Sequence, residues 1–442
     1  MNTKTKLWVG IGAYVLSSAS AVSLSASRAI AISQETSEAD AQVVVEEESV
    51  DSSLLMSQAQ TCVAVPVTGG GEGGEEGESL SVEGGEGGEG GEGGEDASTT
   101  IFTPEGGEGS EGAQSFDDRQ IVTDFVDELI IPNYQFLTQQ TGELSEAITA
   151  FVADPNSSTL QSAREAWLAA RTPWEQSEAF AFGPAASLGL DADLDDWPLN
   201  EADVLAILNS SDELTSEYVD GLQSSQKGFH AIGFMLFGLD NDKMLSDFTE
   251  RELEYLGAIA PVFDQTANAL LSSWIIGVDG FPAYRSEFVN AGESSNAYLT
   301  VESAGEEIVQ GIIGILDELG NIKIGEAVDA QNPFLLEARF AHSSLSDFED
   351  NLISARNAYL GDMPARGTDG RGISEYVAAV DPELHAEILQ QMDVALAEIQ
   401  AIPGPIEKTL CDPGAQAQIS SARESVLVLF DTFSERVLPL FQ

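Results

Sequence analysis

Apolar side chains recur at helical spacing through most of the chain beyond residue 115. The first such run contains Ile121, Phe125, Leu129 and Ile130, which would share one face of a helix. Later runs of the same kind are separated by short breaks that contain proline or glycine, such as Asn332-Pro333. Segments that alternate apolar and polar residues, as half-buried strands do, are absent. The pattern therefore predicts an all-α fold.

The helical region is long for one bundle. Residues 115–442 number about 330, and hydrophobic cores of that size usually divide into separate domains. We expect two packed helical bundles, the first over residues 115–285 and the second over residues 286–442.

Residues 1–31 have the features of an export signal. Lys4 and Lys6 precede an apolar stretch from Leu7 to Val22, and small residues suited to cleavage follow it. Serine residues interrupt the stretch, which favours a cleaved signal peptide over a transmembrane anchor, and no later segment has about 18 consecutive apolar residues. We expect an exported protein of the periplasm or of the outer-membrane-associated cell envelope, with no transmembrane segment after cleavage.

Residues 32–114 lack the pattern of a packed domain. The tract from Gly69 to Gly112 is rich in glycine and glutamate and contains no lysine or arginine. Ordering glycine costs much conformational entropy, and the glutamates repel one another. We predict a disordered, acidic Gly/Glu-rich linker in front of the helical region, and its role stays open.

The charge balance excludes one class of partner. The chain has 18 basic and 75 acidic residues, and its formal net charge is −57. Nucleic acids are bound by clustered lysine and arginine, so they are not expected partners. An acidic surface instead attracts cations.

The chain has two cysteines, Cys62 in the linker and Cys411 near the C-terminus. An oxidising compartment would permit a disulfide between them. Two free thiols are the alternative, and the sequence alone does not choose between them.

One of the three histidines, His230, stands in an otherwise apolar stretch from Lys227 to Gly238. An imidazole inside a buried helix must be hydrogen-bonded or bound to a ligand. His230 is therefore either a satisfied core histidine or part of a functional site.

Four stretches, taken in order, resemble the imelysin family, also called the M75 peptidase family, which includes iron-regulated envelope proteins of cyanobacteria. They are Ala163–Gly183, Asp196–Leu199, Lys227–Glu254 and Glu337–Gly361. The resemblance covers about residues 116–442. It implies two packed helical bundles with polar functional residues along the groove between them.

The signature of that family is G-x-H-x-x-E, in which the histidine and the glutamate lie on one helix face and can act as metal ligands. Gly228 and His230 match it, whereas Gly233 occupies the position of the glutamate. If the remaining pocket is intact, replacing Gly233 by glutamate should raise metal affinity. The resemblance implies metal ligands at His230, Glu178, Glu337 and Asp347, with Gly228 and Arg339 also lining the groove.

The expected function is that of an exported imelysin-like envelope protein, a metal-binding or accessory component of iron uptake with His230 in its groove. The expected ligand is a divalent or ferric metal ion, iron or zinc, and the expected partners are iron-transport proteins of the envelope. One alternative is an M75-type zinc metallopeptidase, which the absence of H-E-x-x-H and the loss of the signature glutamate disfavour. A non-catalytic surface scaffold without a metal site is the other alternative. No catalytic residue is assigned.

Overall fold

The computed structural model describes residues 116–442, and this part of the chain contains helices and no strands. Its α-helices are α1 (Arg119–Asp124), α2 (Ile131–Ala153), α3 (Ser157–Glu175), α4 (Pro184–Ser187), α5 (Leu190–Asp195), α6 (Glu201–Asn209), α7 (Ser216–Asp220), α8 (Gly228–Phe237), α9 (Glu250–Ile275), α10 (Arg285–Val289), α11 (Val301–Asp317), α12 (Ala327–Ala330), α13 (Ser344–Leu360), α14 (Ile373–Val380), α15 (Pro382–Gln400), α16 (Ile406–Thr409) and α17 (Gln416–Thr432). The predicted all-α fold is confirmed.

Two other kinds of helix complete the described region. Wider π-helical stretches cover Phe125–Ile130, Glu318–Glu326 and Phe433–Val437. Tighter 3₁₀ turns cover Glu178–Phe180, Ser224–Gln226, Leu245–Asp247, Pro333–Leu335, Pro364–Arg366 and Leu438–Phe441. The first π-helical stretch joins α1 to α2 without a break, so one continuous helix runs from residue 119 to residue 153.

Local sequence explains where the long helices begin. Before α3, the side chain of Asn156 accepts hydrogen bonds from the backbone of Ser158 and Thr159, and Thr159 returns a side-chain contact to Asn156. Thr249 and Glu252 make the same reciprocal arrangement at the start of α9. Such capping boxes satisfy backbone N–H groups that have no partner inside the helix.

The first group of helices is built on α2, which packs against both α3 and α9. The residues that α2 buries include Leu137, Leu144 and Ile148, each with none of its surface exposed. From α3, the buried Trp167 and Trp174 face the same core. Burying aromatic side chains of this size is a large favourable contribution to folding.

The second group contains α11, α13, α15 and α17. In it α15 packs against α17, and α11 packs against α13. The two groups meet where α13 contacts α3 and where α11 contacts the turn Glu178–Phe180. Buried apolar residues of both groups form one continuous cluster. The functional candidates lie at this junction.

Several expectations fall outside the described residues. These are the export signal (residues 1–31), the acidic linker (residues 32–114) and the Cys62 half of the cysteine pair. The boundary between two bundles at residue 285 stays a prediction. None of the helices between residues 116 and 442 combines the length and the apolar character needed to cross a membrane.

A partly buried acid on α11, Glu307, should make stability depend on pH. Burial, and next the charge of Glu306, raises the pKa of Glu307 to about 7. The folded state therefore favours the protonated acid, so the stabilisation is complete below the ordinary pKa of about 4.5 and is lost as pH rises towards 7. We expect the Glu307→Gln variant to lose less stability than the wild type between pH 4.5 and pH 8, measured as urea midpoints.

The matched control is Glu302→Gln, at the start of the same helix. It should keep the wild-type loss of stability over that pH range. An unchanged pH dependence in Glu307→Gln would contradict the assignment.

Candidate metal centre

The centre begins on α3, where Arg171 and Glu175 lie one turn apart and are both buried. Residues four apart share a helix face, so their opposite charges meet directly. Trp174, on the neighbouring position, donates its indole N–H to Oδ2 of Asp195 at 2.6 Å. The guanidinium of Arg171 lies over the ring of Phe229 at 4.9 Å from its centroid. The rings of Trp174 and Phe229 thus lie beside the ion pair of Arg171 and Glu175.

Gly228 permits the next side chains to join this pair. It has φ of +79°, and a Cβ atom there would lie 2.4 Å from the carbonyl oxygen of Leu194. Only glycine tolerates both the backbone angle and that approach. The first residue of α8 can therefore abut the end of α5, and this contact places His230 beside Asp195.

The remaining members come from the second group of helices. Lys323 lies in the π-helical stretch Glu318–Glu326. Glu337 precedes α13, and Asp347 and Asn351 lie on α13 one turn apart. Each of these four side chains is at most a few per cent exposed.

Arg171 is the hub of the buried charges. Its Nη2 lies 3.1 Å from Oε1 of Glu337 and 2.8 Å from Oδ2 of Asp347. It also forms ion pairs with Glu175 and with Asp195. Although burial opposes its charge, these four carboxylates raise the pKa of Arg171 well above its ordinary value, with Asp195 the strongest of them. Arg171 therefore remains a cation.

Lys323 is the second buried cation. Its Nζ lies 3.1 Å from Oε2 of Glu175 and 2.8 Å from Oε2 of Glu337. A more exposed acid, Glu318, lies at 3.8 Å. Burial works against the charge of Lys323, but Glu175 and then Glu337 outweigh it and raise the lysine pKa well above its usual value. Two cations thus share one set of acids.

The acids outnumber the bases in this enclosed space. In the part of the chain that the structure describes, four buried carboxylates, with side chains at most 5% exposed, contact two permanent cations. Burial raises the pKa of Glu175 well above its usual value and that of Asp347 to about 6. At Glu337, Lys323 and then Arg171 overcome the effect of burial and hold the pKa well below the usual range. The centre is short of positive charge by two units when all four acids are ionised.

His230 faces this excess of acid. Its Nε2 lies 3.1 Å from Oδ1 of Asp195 and 3.8 Å from Oε1 of Glu337, and its side chain is 1% exposed. Neither contact has hydrogen-bond geometry, so the buried Nε2 atom has no hydrogen-bond partner among residues 116–442. Ligand atoms of Asp195, His230 and Glu337 all lie within 4.8 Å of one another. One imidazole and two carboxylates suit iron, zinc or manganese.

The structure brings together four of the residues that the sequence assigned as ligands. His230 and Glu337 belong to the triad just described, and Asp347 forms a second acidic group with Glu175 and Glu337. Glu178 lies with Glu175 and Asp195 in a third group. Burial raises the pKa of Glu178 well above its usual value.

The two other assigned residues act differently. Gly228 supports the contact between α8 and α5 rather than offering a ligand. Arg339 forms an ion pair with Glu201 and lies over the ring of Phe340 at 4.2 Å from its centroid, apart from the cluster around Arg171. Burial lowers the pKa of Arg339 to about 10. In the structure the side chain of His230 is enclosed, with 1% of its surface exposed. A groove that opens onto it stays a prediction.

Sequence reasoning missed Glu175, Asp195 and Lys323. Glu175 was readable as the partner of Arg171 one helical turn away, and Asp195 adjoins the Asp196-Trp197-Pro198 segment. Lys323 had no such signal, because its contacts depend on how two distant helices pack.

The two remaining histidines do not join the centre. Burial, and then the charge of Lys408, lowers the pKa of His342, which faces Asp240 and Asp242. Nδ1 of His385 lies 3.0 Å from the hydroxyl of Tyr359. Within residues 116–442, His230 is therefore the single imidazole of the cluster.

Gly233 packs closely against the indole ring of Trp167. A Cβ atom at this position would lie 3.1 Å from Cζ2 of Trp167 and 3.4 Å from its Cε2. The indole of Trp167 is fixed by donating its N–H to the carbonyl oxygen of Phe229 at 3.0 Å. The tryptophan ring thus fills the space that a larger side chain at position 233 would need.

The helical architecture and the motifs around His230 are those of the imelysins, and the chain belongs to the imelysin family. The family model for imelysin, Peptidase M75, matches residues 130–431. Iron-regulated protein A of Synechococcus elongatus is 32% identical over 329 residues, which cover 74% of this chain and 88% of that protein.

Solved structures give the same assignment. A candidate iron-regulated protein A precursor from Parabacteroides distasonis superposes with a TM-score of 0.67 and 26% identity, covering 75% of this chain and 97% of that one. An imelysin-like protein from Psychrobacter arcticum superposes with a TM-score of 0.57 over 73% of this chain and 95% of its own. At 13% identity, the second likeness shows the fold alone.

The packing at Gly233 leads to a prediction that differs from the one formed from the family signature, and the structure tests neither. We now expect Gly233→Glu to destabilise the fold by about 1–3 kcal/mol, because its Cβ atom would press against the indole of Trp167, which a hydrogen bond to Phe229 holds in place. Metal affinity should not rise. Urea unfolding monitored by circular dichroism measures the first effect, and metal titration of the folded variant measures the second.

Gly314 on α11 is the matched control, because a Cβ atom there has no neighbour within 4 Å among the described residues. Gly314→Glu should keep or slightly increase stability, since glycine is a poor helix former. Equal unfolding midpoints for the two variants would contradict the role of Trp167.

Removing Lys323 tests whether the buried ion network holds the junction together. Lys323→Met leaves Glu175 and Glu337 with one cation instead of two, so we expect a loss of roughly 3–5 kcal/mol in the free energy of unfolding. The control is Lys408→Met at an exposed position, where a change within about 0.5 kcal/mol is expected. A Lys323→Met protein as stable as the control would show that the network contributes little.

Proposed function

We propose that the chain is an exported imelysin-family protein of the cell envelope that binds a metal ion around His230 and serves iron uptake. The observation that supports this most directly is the buried Nε2 of His230, which faces two carboxylates without a hydrogen bond. An unsatisfied polar atom in such a place is costly, and metal coordination is one way to satisfy it.

The charge of the centre supports the same proposal. Its carboxylates exceed its permanent cations by two charges, and a buried excess of that kind is unfavourable unless protons or a cation compensate it. A divalent ion would balance it. Asp195, His230 and Glu337 would hold the ion, and Glu175, Glu178 and Asp347 would lie around it.

Arg171 sets a condition on metal binding. Its guanidinium already contacts Asp195 and Glu337, including the Oε1 atom that lies nearest to His230. A metal ion using these oxygens therefore has to compete with the guanidinium. This competition is expected to lower the affinity for the metal ion. A lower affinity would help a protein that has to release the ion again.

The biological setting is inferred from the relatives and from the N-terminal sequence. Two similar proteins bear the name iron-regulated protein A, and the first 31 residues have the features of an export signal. We accordingly propose the periplasm or the outer membrane as its location, iron as its metal and envelope iron-transport proteins as its partners.

Two alternatives remain distinct from this proposal. A catalytic zinc usually has three protein ligands and an open position for water. The enclosed centre offers one imidazole, so an M75-type zinc peptidase is less favoured. The contacts of Arg171 and Lys323 are also those expected of a non-catalytic scaffold, because ion pairs with a purely structural role would have the same geometry. Stoichiometric metal binding separates the scaffold from our proposal.

The test is calorimetric titration of the chain without residues 1–31, using Fe(II) under anaerobic conditions, a ferric chelate, Zn(II) and Ca(II). We expect one site for iron or zinc and a loss of about tenfold or more in affinity in His230→Ala. His342→Ala is the control, because its imidazole lies outside the cluster, and it should bind as the wild type does.

The acidic linker is the same in all three proteins, so any weak binding to its glutamates cancels in the comparison. Equal affinities of the wild type and His230→Ala would overturn the proposed site. Absence of any stoichiometric site would favour the scaffold. Zinc-dependent cleavage of an unfolded protein substrate, abolished in His230→Ala, would favour the peptidase.

A further inference from the structure

Three acids beside the buried centre keep part of their surface in contact with solvent. They are Glu178, Asp191 and Glu318, here called the outer acids. Glu178 and Asp191 are partly exposed, and 41% of the Glu318 side chain is exposed. The side chains of Asp195 and Glu337 are only 5% and 4% exposed. The acidic cluster therefore extends from the enclosed centre to the surface.

Two of the outer acids adjoin Asp195. Asp191 precedes it by four residues on α5, so the two carboxylates share a helix face. A carboxylate oxygen of Glu178 lies within 4.8 Å of ligand atoms of Asp195 and Glu175. Neither Glu178 nor Asp191 forms a hydrogen bond or an ion pair with another described residue. Two carboxylates next to the centre are thus available to a cation.

The third outer acid, Glu318, is linked to the centre through Lys323. Its Oε1 atom lies 3.8 Å from Nζ of Lys323. The same ammonium group lies 3.1 Å from Glu175 and 2.8 Å from Glu337. One buried cation therefore contacts an exposed carboxylate on one hand and two enclosed carboxylates on the other.

The charges of the cluster act on the outer acids as well. Burial, and then the charges of Asp195 and Glu318, raise the pKa of Asp191 to about 7. Like charges in a partly enclosed space oppose one another's ionisation, and a cation placed among them removes that penalty. The electrostatics of the outer acids thus agrees with their geometry.

His230 lies at the inner end of this series of acids. Its Nε2 atom is 3.1 Å from Oδ1 of Asp195, and it has no hydrogen-bond partner among the described residues. An acidic patch alone is most often an ordinary solvated surface. Here it leads to a buried nitrogen that lacks a partner, which is a second and separate indication of a ligand.

We propose that the outer acids Glu178, Asp191 and Glu318 form the entrance through which a metal ion reaches His230, and that they hold the ion first. The inference rests on the function proposed above and adds the way in which the enclosed site is loaded. A hydrated cation meets carboxylate oxygens at the surface, which replace part of its water shell. It meets the imidazole last.

Another acid near the centre offers a different way in. Asp193 is already paired with Lys227 at 3.0 Å. Asp196 follows Asp195 in the sequence and is partly exposed. An ion that entered beside Asp196 would bypass the outer acids, so the experiment compares the two sides.

The experiment measures the rates of metal binding. The chain without residues 1–31 is mixed with Zn(II) in a stopped-flow instrument, and tryptophan fluorescence reports binding because Trp174 donates a hydrogen bond to Asp195. Mixing the zinc-loaded protein with excess EDTA gives the dissociation rate. The ratio of the two rates gives Kd, which calorimetric titration checks independently.

Asp191→Asn keeps the size of the side chain and removes its charge. We expect the association and dissociation rates to fall together by about three- to tenfold, because an entrance acts on the ion in both directions. Kd should stay within about twofold of the wild-type value, since the final ligands are unchanged. Glu318→Gln should behave in the same way. In both variants the association rate should depend less on ionic strength than in the wild type.

The matched control is Glu302→Gln. Glu302 lies at the start of α11 and Glu318 just after its end, so about 24 Å of helix separates them. This variant should keep the wild-type rates and the wild-type dependence on ionic strength. Asp196→Asn is expected to keep them as well.

Three results would overturn the entrance. The first is wild-type rates in both Asp191→Asn and Glu318→Gln, and the second is slower binding in Asp196→Asn alone. The third is a higher Kd that arises from faster dissociation, because that is the behaviour of a final ligand.

The same data separate this inference from the proposed function. If His230→Ala loses affinity while the variants of the outer acids keep wild-type rates, the metal site stands and the entrance is wrong. If the wild type binds no zinc and no iron, both are wrong.

Discussion

The pairing of Arg171 and Lys323 with a surplus of buried carboxylates is the interaction on which the junction of the two helical groups depends. Arg171 comes from α3 and Lys323 from the π-helical stretch before α12, yet both contact Glu337. Each ion pair across the junction must offset the desolvation of two charges, and this requires close geometry on both sides. The requirement ties the position of α13 to that of α3 more strictly than apolar packing alone would.

The same network leaves the buried charges of the centre only partly balanced. A fully neutralised cluster would have no reason to accept a cation, and a cluster with no internal cations would be unstable without one. This centre lies between those limits, since it has enough positive charge to fold and too little to satisfy every acid. A centre of this composition can fold with its own two cations and still contain more buried negative charge than they balance.

Much of the fold was predictable because helical periodicity is a local property. The runs through Ile121, Phe125 and Leu129 identify a buried helix face from residues close in sequence. His230 and Glu337 were found through motifs that are also local. Lys323 and the role of Trp167 against Gly233 could not be found in this way, because each depends on a partner more than 60 residues away. Gly233 is an example. The sequence shows only that a ligand of the family signature is missing there, whereas the structure shows a close contact with Trp167.

The π-helical stretch from Glu318 to Glu326 has a consequence for how this centre can vary among related chains. A π-helical turn contains one residue more than an α-helical turn, and such turns are frequent at functional sites. Deleting a single residue from the stretch would let it tighten to an α-helix, and the residues on either side would keep their facing because the wider turn had only taken up the extra residue. The stretch therefore lets this part of the chain gain or lose one residue without turning the neighbouring helix faces away from the core.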